Sequence, residues 1–451
     1  MKRVVASLCI CWAAFCGTQS NTAPLVFGMT PQEASIALGV PLVYHSGGSG
    51  SEIYLAYGSP GIPGFYPVDS ALALQFRKGQ LTDGKRIGAC AARGRSEDRM
   101  SARPIALSIL DLSPVAAGSS GAVSLRNSLD LARLADGLGF TRYWVAEHHN
   151  LPSIASSAPD IMIGQIAAAT ARIRVGSGGV MLPNHAPLMV AERFKVLEAL
   201  FPGRIDLGIG RAPGTDPVTS YALRRRQDAG GDDDFLERFQ ELLLFESNAF
   251  PEGHPFRSVR AMPQDVALPP IWLLGSSGYS AQLAAMVGAG FSFAHHFADH
   301  DAVAAMLSYR DRFKPSPARA TPYAILACAA VCADSDAEAE RLAATIDLNF
   351  VRRSRGEYLP LASPQEAAAY PYSPAERGLI ARNRARLFVG AKPTVLERLR
   401  EMIAATKADE VMVTTMIYDH AARRHSYELL AEAFGLRALK DNEVPAAAGP
   451  L

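Results

Sequence analysis

The sequence predicts an α/β protein whose larger part is an eight-stranded (β/α)8 barrel of the TIM type, preceded by a small α+β module. Three observations carry this. From Pro104 onward, apolar strand-like runs alternate with amphipathic helix-like runs, the pattern that builds parallel sheets. About eight such β/α units fit into about 330 residues, the length of an insertion-bearing barrel. A doubly wound sheet instead calls for a glycine fingerprint after its first strand, and IALSILDLSPV carries none.

Taken in order, residues 1–22 form a leader-like segment. MKRVVASLCICWAAFCG has a basic start and a short apolar core, as a secretory leader does, and is too short for a confident membrane span. Residues 23–82 read as the small module. In FGMTPQEASIALGVPL, Thr30 is the expected N-cap, Pro31 the first helical residue, Glu33 the capping-box partner and Gly39 the stop. EIYLAYG and ALALQFRKGQL read as short strands. The GMT-x-x-E helix followed by strands resembles small envelope domains. Residues 83–103 are rich in charged and small residues without apolar period, and read as a linker.

The barrel is expected over 104–440, with a tail at 441–451. Its strands are read in IALSILDL, RYWVAEHH, IRVGSGGVML, RIDLGIG, PIWLLGSS, FSFAHHF, AILACAAVCA and DEVMVTTM. Intervening helices are read in SLRNSLDLARLADGLG, APDIMIGQIAAATA, LMVAERFKVLEAL, DDDFLERFQELLLF, YSAQLAAMVGAG, DAEAERLAATI and KPTVLERLREMIAA. Gly139 closes the first of these as a C-cap. Cys328 and Cys332 lie in a strand-like run and are expected to be small buried core thiols.

Composition narrows the function. With 49% hydrophobic and 20% charged residues the chain is globular, and 45 Lys+Arg against 44 Asp+Glu leave a formal charge of +1. That balance provides no electrostatic pull toward nucleic acid.

Three successive strands end in unusual residues: Glu147-His148-His149, Ser177-Gly178-Gly179 and Gly210-Arg211-Ala212-Pro213. Strand C-termini are where barrel sites are built. An imidazole there is suited to proton transfer. Adjacent residues on a strand face opposite ways, so neither His148-His149 nor His295-His296 is expected to chelate a metal, and HExxH and paired C-x-x-C motifs are absent. Gly178-Gly179 lets a flat ligand approach the backbone. LGIGRAPG imitates a dinucleotide fingerprint, but Pro213 stands where the third glycine belongs, so no nicotinamide loop is expected there. Arg211 is instead placed to clamp a phosphate or carboxylate. Gly275-Ser276-Ser277-Gly278-Tyr279-Ser280 joins a strand to a helix N-terminus, an anion-binding arrangement.

Together AEHH, GSGGVMLPNHAPL, PGRIDLGIGRAPGTDP and RRHSYELLAE resemble the luciferase-like, flavin-dependent monooxygenases over about 103–436. RAPGTDP resembles the short single-chain bacterial subgroup. Residues 1–100 have no counterpart there. The resemblance implies a barrel of the bacterial-luciferase type with reduced FMN at its C-terminal mouth, O2 as co-substrate and a small organic substrate. It implies His148 as catalytic base and Gly178-Gly179 as a non-prolyl cis pair under the flavin ring. For the flavin it implies Glu147, Ser177, Gly178, Gly179, Arg211, Gly275, Ser276, Ser277, Tyr279 and Ser280. A separate reductase would supply the reduced flavin, and a homo-oligomer is expected. The enzyme domain is expected in the cytoplasm unless the leader directs it to the envelope. Deazaflavin-dependent dehydrogenases share the scaffold, and a non-catalytic flavin-binding protein is the alternative outside enzymes. Light emission is not expected, because no aldehyde-pocket motif is present.

Overall fold

The computed structural model describes residues 30–38, 42–48, 51–59, 70–77, 80–89, 105–224, 234–298 and 300–437. The leader-like segment, residues 90–103 of the expected linker and the 441–451 tail lie outside the described residues. The chain divides into two units, Met1–Ala102 and Arg103–Leu451.

In the first unit, helix α1 (Pro31–Leu38) starts as its capping box requires. Glu33 N donates to Thr30 Oγ1 at 3.3 Å, and Thr30 N donates to Glu33 Oε2 at 2.8 Å. Four strands follow, β1 (Leu42–Gly48), β2 (Ser51–Ser59), β3 (Ser70–Arg77) and β4 (Gln80–Ala89), paired antiparallel in chain order. Strand β4 runs on through Ala89, so the residues from 83 to 89 are paired strand rather than linker. Their charges did not reveal this, because strand pairing uses the backbone.

The second unit opens with β5 (Ala106–Asp111), α2 (Gly121–Leu138), β6 (Arg142–Val145), α3 (Pro159–Ala169), β7 (Arg174–Ser177) and β8 (Val180–Met181). It continues with α4 (Pro187–Leu200), β9 (Ile205–Gly210), α5 (Pro217–Arg224), α6 (Phe235–Ser247), β10 (Ile271–Gly275), α7 (Gly278–Val287) and β11 (Gly290–Ala294). Then come α8 (Ala302–Arg312), β12 (Ala324–Ala333), α9 (Asp336–Ser354), α10 (Pro364–Ala369), α11 (Pro374–Arg384) and β13 (Leu387–Ala391). Helix α12 (Lys392–Thr406), β14 (Glu410–Thr414) and α13 (His420–Phe434) complete it. Parallel pairing runs β5-β6-β7-β9-β10-β11-β12-β14 and back to β5. The sheet is a closed eight-stranded barrel. Strand β13 lies outside this circuit, paired parallel with the second half of the long β12.

Alternation along the strands sorts side chains into two cores. One set, including Leu107, Ile109, Tyr143, Val145, Ile205 and Leu207, packs under the surrounding helices. The other fills the barrel interior, where Leu110, Trp144, Trp272, Ile325, Ala327 and Met412 form one cluster. Below that cluster sits a buried ionic plug. Arg142 Nη1 pairs with Asp206 Oδ2 at 2.7 Å and its Nε with Glu410 Oε1 at 2.7 Å. Arg174 Nη2 adds a 2.7 Å pair to Asp206, and Tyr323 OH donates to Glu410 Oε2 at 2.8 Å. Trp272 takes the Arg142 guanidinium on its face at 4.7 Å. These ions are paired on every side, which is what makes such burial tolerable.

A second clasp closes the circuit. Arg423 of α13 donates from Nη2 to Asp111 Oδ1 at 2.6 Å and from Nε to Thr415 O at 3.0 Å, while Tyr143 OH bonds the other Asp111 oxygen. Cys328 and Cys332 are buried on β12 as expected, and burial pushes their thiols up to about 12 and about 11. In the second unit the elements not anticipated are α5, α8, α10, α11, α13 and β13, and the strand expected in one run is interrupted. IRVGSGGVML breaks after Ser177, resumes as β8, and passes into a 3-10 turn over Leu182–Asn184.

Candidate active site at the barrel mouth

From sequence, both histidine pairs read as strand residues. The backbone disagrees: β6 ends at Val145 and β11 at Ala294, so His148-His149 and His295-His296 sit in the loops beyond. Strand alternation therefore does not decide which way these rings face.

Glu147 is fully buried and acts as a hub. Its carboxylate accepts from His149 Nε2 at 2.9 Å, from His185 Nε2 at 2.9 Å, from Asn184 Nδ2 at 3.3 Å and from Met181 N at 2.9 Å. Burial alone would raise its pKa, but these bonds, led by those from His149 and His185, hold it down at about 2. With its oxygens so engaged, Glu147 orders the loops after β6 and β7 rather than offering itself to a ligand.

His148 is held differently. Its backbone N–H donates to Ser156 O at 2.9 Å, and its Nδ1 lies 3.3 Å from Gly214 O. A carbonyl only accepts, so Nδ1 carries the hydrogen and Nε2 keeps the lone pair. Burial pushes the His148 pKa below the usual imidazole value, with Gly214 O working against it and the Arg353 charge with it. His296 repeats the arrangement, with Nδ1 3.2 Å from Ala327 O, and burial takes it down to about 4.

Ser177 is buried, its hydroxyl donating to Gly208 O at 2.8 Å and accepting from Gly208 N at 3.0 Å. It fastens β7 to β9. The Gly178–Gly179 peptide is cis, as the resemblance implied. A Cβ on Gly178 would sit 2.5 Å from Leu110 Cδ1, and one on Gly179 would sit 2.9 Å from Gly208 O. Gly179 is thus required by the backbone beneath it, whereas a side chain at Gly178 would have to displace Leu110.

Arg211 follows β9 and is exposed; its guanidinium lies 4.6 Å from the centre of the Tyr279 ring. The structure therefore brings these two expected phosphate contacts together. Ser276 and Ser277 precede α7, and Ser277 makes no side-chain bond at the cap, so the first-turn N–H groups are left without it. Ser280 turns back on Gly275, where a Cβ would meet Ser280 Oγ at 2.1 Å. An uncapped helix start, hydroxyls and an arginine are the groups with which proteins bind anions.

The residues fit a flavin nucleotide. The apolar interior cluster, which includes Ala146 and Ala327 beside the larger Leu110, Trp144 and Met412, gives an apolar floor. Just above Met412, Thr414 Oγ1 is buried without a hydrogen-bond partner among the described residues, as is His295 Nδ1 beyond β11. A flat ligand with polar edges would answer both.

Comparison with known proteins agrees with this geometry. The luciferase-like monooxygenase family profile matches residues 105–411. The chain belongs to the luciferase-like monooxygenase family. Residues before 105 lie outside the match. A luciferase-like monooxygenase of Escherichia coli K12 is 45% identical over 330 residues, 73% of this chain and 97% of that one. The N-acetyl-S-alkylcysteine monooxygenase of Bacillus subtilis is 35% identical over 330 residues, 73% of this chain and 98% of that one. The crystal structure of apo-MsnO8 superposes with a TM-score of 0.68 at 40% identity, covering 74% of this chain and all of that one. More distant structures share the fold alone. They include the FMN complex of the oxygenating component of a diketocamphane monooxygenase from Pseudomonas putida, at 20% identity over 75% of this chain and TM-score 0.54. An F420-dependent secondary alcohol dehydrogenase matches at 11% identity over 74% and TM-score 0.53.

Several residues of the mouth were not singled out from sequence. His185 and Asn184 lay inside the quoted GSGGVMLPNHAPL run but carried no assigned role. Asp216 was also missed, although an Asp before Pro217 is a helix-start signal.

Proposed function

We propose that the protein is an FMN-dependent monooxygenase that uses reduced FMN and O2 to oxygenate a small organic substrate, with a separate reductase supplying the reduced flavin. The observation that carries this reading is the anion receptor made by Arg211, Tyr279 and the uncapped start of α7, two and three strands along the barrel from His148. Arg211 and the α7 N–H groups would hold the phosphate, and the apolar floor would carry the ring. When bound, reduced flavin supplies the electrons that activate O2. The chain contributes a dry interior beneath the ring and a neutral imidazole at His148, whose Nε2 accepts a proton from the reacting substrate. The reductase is inferred because the glycine loop after β9 leads into α5 only at Pro217, which does not suit a nicotinamide dinucleotide.

A deazaflavin would use the same receptor, so cofactor choice is tested directly. Purified protein is titrated with FMN, riboflavin and a deazaflavin, and the reduced FMN complex is then mixed with O2 in a stopped-flow spectrometer with substrates, beginning with the N-acetyl-S-alkylcysteines for which the Bacillus relative is named. FMN-dependent consumption of O2 with oxygenated product is expected. Preference for the deazaflavin, with no reaction toward O2, overturns the reading. Charge-assisted hydrogen bonds contribute about 1.5–3 kcal/mol, so Arg211→Ala should weaken FMN at least about tenfold. Riboflavin affinity should barely change, and equal losses would contradict the phosphate role.

A further inference from the structure

The loops after β6 and β9 are laced together residue by residue. Gly214 O accepts from the His149 backbone N–H at 3.3 Å as well as from His148 Nδ1. Thr215 Oγ1 donates to His149 O at 2.9 Å, and Asn150 Nδ2 donates to Asp216 Oδ2 at 3.0 Å. The same Asp216 caps α5. Its Oδ1 accepts from Val218 N and Thr219 N at 3.0 Å each, and its Oδ2 accepts from Thr219 Oγ1 at 2.6 Å. Gly214 itself stands at φ +68, where a Cβ would lie 2.8 Å from Glu147 O. That close approach seats its carbonyl against the histidine loop.

One carboxylate therefore ties the start of α5 to the residue two beyond His148, at the end of the same lacing. Asp216 does not itself bond His148; it holds the loop whose carbonyl does. We infer that Asp216 is a positioning residue, fixing the Gly214 carbonyl and through it the tautomer and orientation of the His148 ring. The inference rests on the reading of His148 as the proton-accepting group of the proposed reaction. If the Gly214 carbonyl drifts, the Nδ1 hydrogen loses its acceptor, the ring samples the other tautomer, and Nε2 ceases to be the basic nitrogen.

The test reads the ring before it reads turnover. Full-length protein with 15N-labelled histidine is compared with Asp216→Ala, Asp216→Asn and Asn150→Asp, the His148 signal being assigned by its loss in His148→Gln. Wild-type protein should show a single Nδ1–H tautomer. Asp216→Ala should give a mixture, and so should Asn150→Asp, which tolerates the positive φ of 55 at that exposed position but sets two carboxylates against each other. Asp216→Asn should restore the wild-type signal, because its amide oxygen still caps α5 and the Asn150 amide turns to accept. Small misplacements of a catalytic group cost up to about 100-fold, so kcat should fall about tenfold or more in the first two variants, with FMN affinity at the wild-type level. Because the ring signal needs neither flavin nor turnover, an inactive wild-type protein would count against the proposed function and leave this result readable. An unmoved His148 signal in Asn150→Asp and in folded Asp216→Ala overturns the inference, as does failure of Asp216→Asn to restore it.

Discussion

At the residue scale, His148 and Glu147 are neighbours in sequence with opposite assignments. Glu147 has its oxygens bonded to His149, His185, Asn184 and Met181, whereas the ring bond of His148 to Gly214 O engages Nδ1 and, among the described residues, not Nε2. His148→Ala should leave FMN binding near normal and lower turnover by roughly 100-fold or more, the scale of a lost general base. His149→Ala removes a partner from Glu147 and should lower thermal stability instead; the reverse pattern would exchange the two roles. The pH profile follows from the direction of the shift. Burial lowers the His148 pKa, so the basic form persists below the usual imidazole value. The kcat profile should be flat through neutrality and fall on its acid side at a midpoint below 6.5, and a midpoint above 6.5 would contradict the buried site. For stability the sign is that of a depressed acid. Glu147 titrates at about 2 when folded against 4.5 ordinarily, so its contribution is complete above 4.5 and is lost as pH falls from there toward 2. Glu147→Gln should flatten acid unfolding across that window. The motif residues themselves were legible because EHH, SGG and GRAP stand out from apolar strands. Their partners were not, because a hydrogen bond between residues 66 apart, such as Asn150 to Asp216, leaves no local pattern.

At the scale of elements, the eight barrel strands were legible because each is a short apolar run bounded by helix signals. Helix α8 was not. It buries Ala302, Ala305, Met306 and Tyr309, and so many alanines give little contrast between faces. Strand β13 escaped because its five residues run straight into α12. The ionic plug had a readable trace that only the barrel explains. Arg142 and Glu410 open strands β6 and β14, and Asp206 stands second in β9, each at the start of an otherwise apolar run. Closure of the sheet converts three isolated charges into one buried network. Removing the central cation leaves Asp206 and Glu410 in the interior with too few partners. Arg142→Ala should cost about 3–5 kcal/mol, read as a lowered urea midpoint with little change in slope. A loss below about 1 kcal/mol, the scale of a surface pair, would mean that water reaches the plug.

At the scale of the whole molecule, the family match and the contact division fall at nearly the same place, residue 105 and Arg103. Each elementary requirement of a barrel is met on the C-terminal side of that boundary. The circuit of eight strands closes there, the Asp111–Arg423 clasp joins its first strand to its last helix, and both proposed cofactor contacts and His148 belong to it. The first unit has a separate antiparallel sheet with its own helix. A barrel whose strand circuit and apolar core close within the second unit has no thermodynamic need of a preceding module. A chain beginning at Met100 should therefore express in soluble form, unfold cooperatively in urea with an undiminished midpoint for the barrel transition, and bind FMN with the affinity of the full-length protein. The comparison is made by urea denaturation and flavin titration on both proteins. Aggregation of the shorter chain, or FMN binding weakened by about tenfold, roughly 1.4 kcal/mol, would show that residues 1–99 complete the barrel's fold or its site, and the boundary would have to be moved.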